Sequence, residues 1–351
     1  FNFLWISDAE PCCAETTTKL KISKNRNKNL FIFLTTLKYN DVLLKQLIIY
    51  FISKISLILV KHSRLIRFYH IVFFFTVLSV QTAFSQVIET TEPLIIDQRK
   101  STIRTRFAPP KGFLWAKEMP GSFGDYLANF PLYPPNFPVR NFSSVPIEKQ
   151  SNHVAILKID VGDKDLQQCA DAWIRLYAEY LWSQKRFEEI GFEFTSGQFF
   201  SWSDFKKGVR TREIKNRVTF YQTRKVDDSY ENFRNYLNVI FRYAGTISLD
   251  RESVSVFQNS QIKTGDFLIK PGSPGHSVII VGVAVNSSGK KLYLLAESFM
   301  PAQDIHILKN PLNSTISPWY ELDLNAPKTV TAKYIFAPTS IKRFAVPQKN
   351  K

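Results

Sequence analysis

Residues 166–181 read LQQCADAWIRLYAEYL. Apolar side chains fall at Leu166, Cys169, Ala170, Trp173, Leu176, Tyr177, Tyr180 and Leu181, at spacings of three and four. That period of 3.6 predicts an amphipathic helix over Leu166–Phe187. Asp163 and Asp165 supply helix-start chemistry just before it. Cys169 then lies in the first turns, on or beside the buried face. The stretch GDFLIKPGSPGHSVIIVGVAV, residues 265–285, supplies the other half of the fold. It reads as a short strand Phe267–Lys270, a Pro/Gly turn and a Val/Ile-rich strand from His276 to Val285. Asn286 to Gly289 then forms a hairpin turn into a strand Lys291–Ala296. A helix carrying the cysteine, packed on an antiparallel sheet, gives the α+β class.

Working outward, Val154–Asp160 reads as a strand and Tyr230–Tyr243 as a second helix, with Phe233, Leu237, Ile240 and Phe241 on its apolar face. Asp304–Leu308 and Lys328–Phe336 read as further strands. Residues 191–212 read as an aromatic loop containing Trp202. Residues 86–150 carry Pro120, Pro131, Pro134, Pro135, Pro138 and Pro146 and read as an extended arm, since proline removes backbone donors and blocks helix interiors. One short helix is expected within the arm, near Ser122–Asn129. The core domain is set at 151–345.

The front of the chain reads differently. Its first methionine is Met119, and residues 1–63 are expected to be upstream translation or an unstructured leader. Val42–Val60 is apolar but interrupted by Lys45, Gln46 and Lys54, which argues against a membrane span. Arg64 and Arg67, the apolar run 71–78 and the small residues Ala83 and Ser85 follow the order of a secretory signal peptide over 64–85; a buried helix is the alternative. The mature protein is then exported, periplasmic or extracellular, with no integral span. The whole chain has a net charge of +16. Removing residues 1–85 takes 11 of 46 Lys and Arg and 4 of 30 Asp and Glu, leaving 35 against 26. This moderate excess favours anionic surfaces or polymers, but the basic residues are scattered and nucleic acid is not expected.

Removal of the leader also leaves Cys169 as the one cysteine, so it forms no internal disulfide. It is either a small buried hydrophobe or a reactive thiol. A thiol at a helix N-terminus is favoured as thiolate, and an imidazole nearby favours it further. His276 opens a strand after a tight turn, and Glu297 ends the next one. A carboxylate there can orient the imidazole. Gln167 or Gln168, with the Cys169 amide, can supply oxyanion donors. Trp202, Phe199 and Gln303 are candidates for lining a substrate groove, with a core role equally open for both aromatics. Asp171 is expected to cap the helix or to contact Arg175. His153 and His306 are the competing bases. The histidines and the cysteine lack the short ligand spacings of a zinc site, and no phosphate or dinucleotide motif is present, so neither metal nor cofactor is expected.

At these residues two resemblances arise. The run Leu166–Ala172 with Arg175-Leu176 and Ala178–Leu181 resembles the hallmark of a family of secreted bacterial proteins known as a domain of unknown function. Further matching segments are Phe194–Gly197, Gly265–Phe267, Pro271–His276, Pro301–Gln303 and Ser317–Tyr320, and the similarity spans roughly residues 105–345. That resemblance implies export but no activity, and Glu297 stands where the pattern expects Gln. More distantly, Gly265-Asp266, a strand, a turn and Gly275–Val278 are similar to the histidine region of papain-like cell-wall peptidases and amidases. Those enzymes place a nucleophilic cysteine at an earlier helix start. The resemblance implies a papain-like core acting on a peptide or cell-wall substrate, although the 107-residue gap from Cys169 to His276 is wide for that group. A thiol-dependent hydrolase of an amide or peptide bond is the leading expectation. A non-catalytic envelope binding protein on the same fold is the alternative, and a purely structural role remains open.

Overall fold

The computed structural model describes residues 95–345 apart from 216, 224, 338 and 339, together with Gln46 and Tyr50. The expected signal peptide, and the expected leader apart from Gln46 and Tyr50, lie outside the described residues. In chain order the elements are α1 (Ile103–Arg106), β1 (Phe113–Trp115), α2 (Phe123–Ala128), β2 (His153–Ile156), α3 (Cys169–Ser183), β3 (Gly191–Glu193), β4 (Phe199–Ser201), α4 (Trp202–Lys206), β5 (Val209–Ile214), β6 (Arg217–Gln222), α5 (Tyr230–Tyr243) and α6 (Thr246–Arg251). Then come β7 (Ser253–Ser255), β8 (Phe267–Lys270), β9 (His276–Asn286), β10 (Lys291–Glu297), β11 (His306–Leu308), β12 (Trp319–Tyr320), β13 (Thr329–Val330), β14 (Ile335–Phe336) and β15 (Ile341–Phe344).

The main sheet runs β2-β11-β10-β9-β8-β15-β7, with β1 also on β9 and β12 also on β10. Every pairing in it is antiparallel. β9 is buried from His276 to Ala284 because both faces of the sheet are covered. Ile279 and Val281 belong to the larger core, with Trp173, Leu176, Phe267 and Ile307. Val278 and Ile280 belong to the second, with Leu268, Leu295, Tyr320 and Phe336. Each fully buried Leu, Ile or Phe contributes roughly 1.5–3 kcal/mol. The two layers therefore hold β9 from above and below. Residues of the proline-rich segment enter the larger core as well: Ile103, Phe107, Leu127, Phe130 and Leu132. Ile103 opens and Phe107 closes a short helix where the sequence reads as extended, because Thr102 caps it.

α3 begins three residues later than the hydrophobic period suggests. Asp171 Oδ2 reaches back to the Gln168 amide at 3.0 Å, which sets Gln168 as the N-cap. The helix stops at Ser183, and Lys185 has a left-handed φ of 56°. The segment expected as one strand over 328–336 is a tight pair, β13 and β14. The aromatic loop expected over 191–212 instead holds β3 paired with β4, the short helix α4, and the start of β5, whose exposed hairpin with β6 runs on to Gln222.

Asp266 explains the Gly-Asp pair before β8. Its carboxylate, fully buried, takes both Arg343 Nε at 2.7 Å and Nη2 at 2.9 Å and so ties β8 to β15. Gly265 has φ +92°, and its carbonyl accepts from Trp173 Nε1 at 3.0 Å, which docks α3 on the sheet. The β8–β9 turn is equally constrained. A Cβ on Gly275 would run into Thr246 Oγ1 and the carbonyls of Gly272 and Lys270.

Candidate functional site

Four of the expected site residues converge where the β9–β10 ladder ends. Its last paired residues are Ile279 and Ala296. Beyond them β10 turns toward β11, with Glu297 opposite His306. The start of α3 meets this opening. Ser298 Oγ donates to Gln303 O at 2.7 Å and lies 3.1 Å from Gln167 O. One buried hydroxyl thus joins the residues just before Cys169 to those just after Glu297.

Cys169 is the first residue of α3 and is half-buried. Burial pushes its thiol up to about 11, with the Asp171 carboxyl acting in the same direction. The amide N–H groups of Ala170, Ser277 and Cys169 itself pull the other way, as donors that favour the thiolate. The first amides of a helix have no intrahelical partner, so they are available for this. Asp171 is buried and pushed up to about 8 by burial, so it carries little charge at neutral pH. Burial is then the main cause left acting on the thiol.

His276 is 2% exposed, and its Nε2 lies 2.8 Å from Glu297 Oε2. Burial alone would raise the Glu297 pKa. The hydrogen bond from His276, with the His306 ring 3.7 Å from the other oxygen, outweighs it and holds the carboxyl down to about 2. An ionised carboxylate only accepts, so Nε2 donates and the neutral ring keeps its lone pair on Nδ1. Rings of Tyr334, Phe299 and Phe336 surround the imidazole, with centroids 4.7, 5.1 and 5.8 Å away.

Sulfur and imidazole come from different layers. His276 shares its strand face with Val278 and Ile280, in the second core, while α3 packs on the face of Ile279 and Val281. The thiol lies against the peptide joining His276 to Ser277, at the strand's end. Among the described residues no hydrogen bond joins Cys169 to His276.

The Gln167 side chain is 1% exposed overall. Its Oε1 accepts from Arg175 Nη1 at 2.9 Å, which fixes Nε2 as the other end. Arg175 is itself held by Glu179 at 2.8 Å and Asp160 at 3.3 Å rather than by Asp171. Gln167 Nε2, Asp171 Oδ1, Ser277 Oγ and Glu297 Oε1 are all buried without a hydrogen-bond partner. Buried polar groups are otherwise nearly always paired, so four such atoms within two residues of Cys169, His276 or Glu297 mark a site. Gln168 caps α3, and its Nε2 bonds Asp165 Oδ1 at 3.2 Å.

Trp202 is a core residue rather than a groove residue. It is 1% exposed and packs with Trp182, Phe233 and Tyr236. Phe199 is 42% exposed, on β4. Gln303 lines a cleft of roughly 860 Å³ beside His276. Two site residues go beyond the expected trio. His306, seen in the sequence only as a competing base, gives its Nδ1 proton to Asp304 O at 2.7 Å. Its Nε2 accepts from Lys333 Nζ at 3.2 Å, and Lys333 also lies 3.5 Å from Glu297 Oε1. The Lys333 ammonium thus stands between His306 and Glu297. Nothing in the local pattern of 328–336 signals it. Among the described residues no group of three His, Cys, Asp or Glu is arranged to hold a metal ion, and no helix is long and apolar enough to cross a membrane.

Residues 103–343 match the family described as "Domain of unknown function (4846)". The chain belongs to that family. No curated protein and no solved structure matches it. The family boundaries take in α1 and most of β15, so the proline-rich segment and the sheet fall within one domain of unknown function (4846).

Proposed function

We propose that this protein is a thiol-dependent hydrolase of an amide or peptide bond, built on a papain-like core and exported to act in the cell envelope. The observation that carries the reading is the unpaired Gln167 Nε2 donor, buried two residues before a helix-opening cysteine. The His276–Glu297 pair at 2.8 Å supports it, as does the signal-like order of residues 64–85. The order of helix, strand and strand bearing Cys169, His276 and Glu297 resembles the papain-like arrangement.

In this reading the Cys169 thiol gives its proton to His276 Nδ1 as sulfur attacks the carbonyl carbon. Gln167 Nε2 and the Cys169 amide hold the oxyanion. The imidazolium, stabilised by ionised Glu297, returns the proton to the leaving amine, and a thioester remains. Water then gives a proton to His276 as it attacks the thioester, and the acid and thiol are released. The sulfur must close on Nδ1 from its place against Ser277.

Two observations favour a second reading, a non-catalytic binding protein. The thiol is pushed up to about 11, and aromatic rings enclose the imidazole. Alkylation by iodoacetamide at pH 7 separates the two. The hydrolase reading expects Cys169 to label about tenfold or more slowly in His276→Ala, the usual scale of general-base assistance being 10²–10⁴-fold. Equal, slow labelling in both proteins overturns it.

A further inference from the structure

We propose that the cleft beside His276 binds the carboxylate of an acidic peptide, and that this is the substrate side of the site. The inference rests on the hydrolase reading only for its second half. The cleft is lined by Lys149, Lys270 and Lys333, with no Asp or Glu on its wall. By contrast, the cleft that holds Asp160, Glu231 and Asp304 also holds Arg140 and Arg234. Phe299, Met300 and Tyr334 supply apolar surface beneath the lysines, and Met300 is 52% exposed.

The three lysines are not equivalent. Lys333 is committed inward, to Glu297 at 3.5 Å, His306 at 3.2 Å and Gln303 Oε1 at 3.4 Å. Burial lowers its pKa against the opposing pull of the Glu297 carboxylate, and the charge of Lys149 adds a little to the lowering. Lys149 and Lys270 are exposed, and neither has an ion-pair partner among the described residues. Lys270 Nζ rests 5.9 Å from the centre of the Tyr334 ring, the same ring that packs on His276. Lys270 is also the residue opposite His276 in the β8–β9 register. Two cations without counter-ions among the described residues therefore overhang an apolar floor that is continuous with the base. A peptide with an acidic side chain supplies both halves of the match: apolar contact for its chain and a carboxylate for the ammonium groups.

The test uses the protein with two probes that differ only in charge, acetyl-Ala-Glu-amide and acetyl-Ala-Gln-amide, titrated by calorimetry at low and high salt. The Glu peptide should bind about tenfold more tightly, the scale of a charge-assisted hydrogen bond at a partly exposed site. Lys149→Gln with Lys270→Gln should bring the two peptides to parity, while the rate of Cys169 alkylation stays at the wild-type value. Equal affinity in the wild type, preference retained in the double variant, or no binding of either peptide at millimolar concentration each overturns the proposal. If the preference is found but His276→Ala leaves alkylation unchanged, the carboxylate site stands and the hydrolase reading falls.

Discussion

Replacing Asp171 by Asn should flatten the pH dependence of stability in a way that no surface carboxyl can. Burial holds the Asp171 pKa at about 8, against an ordinary 3.8. The sign follows from which state loses its proton first. In the unfolded chain the carboxyl ionises near 3.8, whereas in the fold it stays protonated to about 8. Folding then requires proton uptake, so stability is greatest below about pH 4, falls through the window from 4 to 8, and is level above it. The slope for one group is about 1.4 kcal/mol per pH unit, so the loss between pH 4 and 6 is about 3 kcal/mol. Asn keeps an oxygen for the Gln168 amide, now held at 3.0 Å, and has no proton to lose. Urea unfolding of both proteins at pH 4, 5, 6 and 7 measures the difference. Glu252, raised to about 8, and His153, lowered to about 4, both mainly by burial, titrate in each protein and cancel. Asp171→Asn should gain on the wild type by about 3 kcal/mol between pH 4 and 6. Parallel pH curves would refute the burial of a neutral carboxyl beside Cys169.

Glu297→Gln acts in the opposite window. A carboxyl held down to about 2 from 4.5 contributes stability above pH 4.5 that is lost as pH falls toward 2. That contribution is about 3 kcal/mol, and the Gln variant should lack it at pH 7 and show no matching acid decline between pH 4.5 and 2. Denaturant midpoints across that range check both points. Trp202→Ala should cost about 3–5 kcal/mol, the range for emptying a large core site. In the protein that remains folded, the alkylation rate of Cys169 should be unchanged, and a changed rate would return Trp202 to the groove.

Much of the sheet is legible because its strands are locally uniform. Phe267–Lys270 and Tyr230–Tyr243 fall where the sequence places them, the second because Ser229 accepts from the Asn232 amide and stops the helix from extending backward. The hairpin β5–β6 is not legible, since both strands are largely exposed and carry no buried alternation. β1 and β15 are short, and what makes them strands is pairing with β9 and β8, far away in the chain. The site shows the same division. His276 and Glu297 are legible together as neighbouring strand ends. Their layer is not, because β9 is apolar on both faces and the run Val278–Val281 gives no sign of which face meets α3. His306 and Lys333 reach Glu297 through β11 and the segment before β14, contacts for which no residue spacing is a signal.

That layering bears on how a proton would leave the thiol. Near pH 7 Asp171 is neutral and Glu297 is charged, and that carboxylate faces His276 at 2.8 Å and its competitor His306 at 3.7 Å. His306 already spends Nδ1 on a carbonyl and Nε2 on Lys333, which leaves no lone pair to receive a proton. His276 alone of the two keeps an acceptor nitrogen, and its other nitrogen is anchored to a full negative charge. Transfer from sulfur to Nδ1 would exchange a buried neutral pair for a thiolate facing three amides and an imidazolium facing a carboxylate. A helix N-terminus contributes roughly 0.3–1 kcal/mol to such a thiolate, too little alone to offset a thiol at about 11. The carboxylate behind the imidazole must therefore do most of it. In alkylation, Glu297→Gln should consequently slow Cys169 nearly as much as His276→Ala does, and a Glu297→Gln protein that labels at the wild-type rate would separate the two histidine contacts from the sulfur altogether.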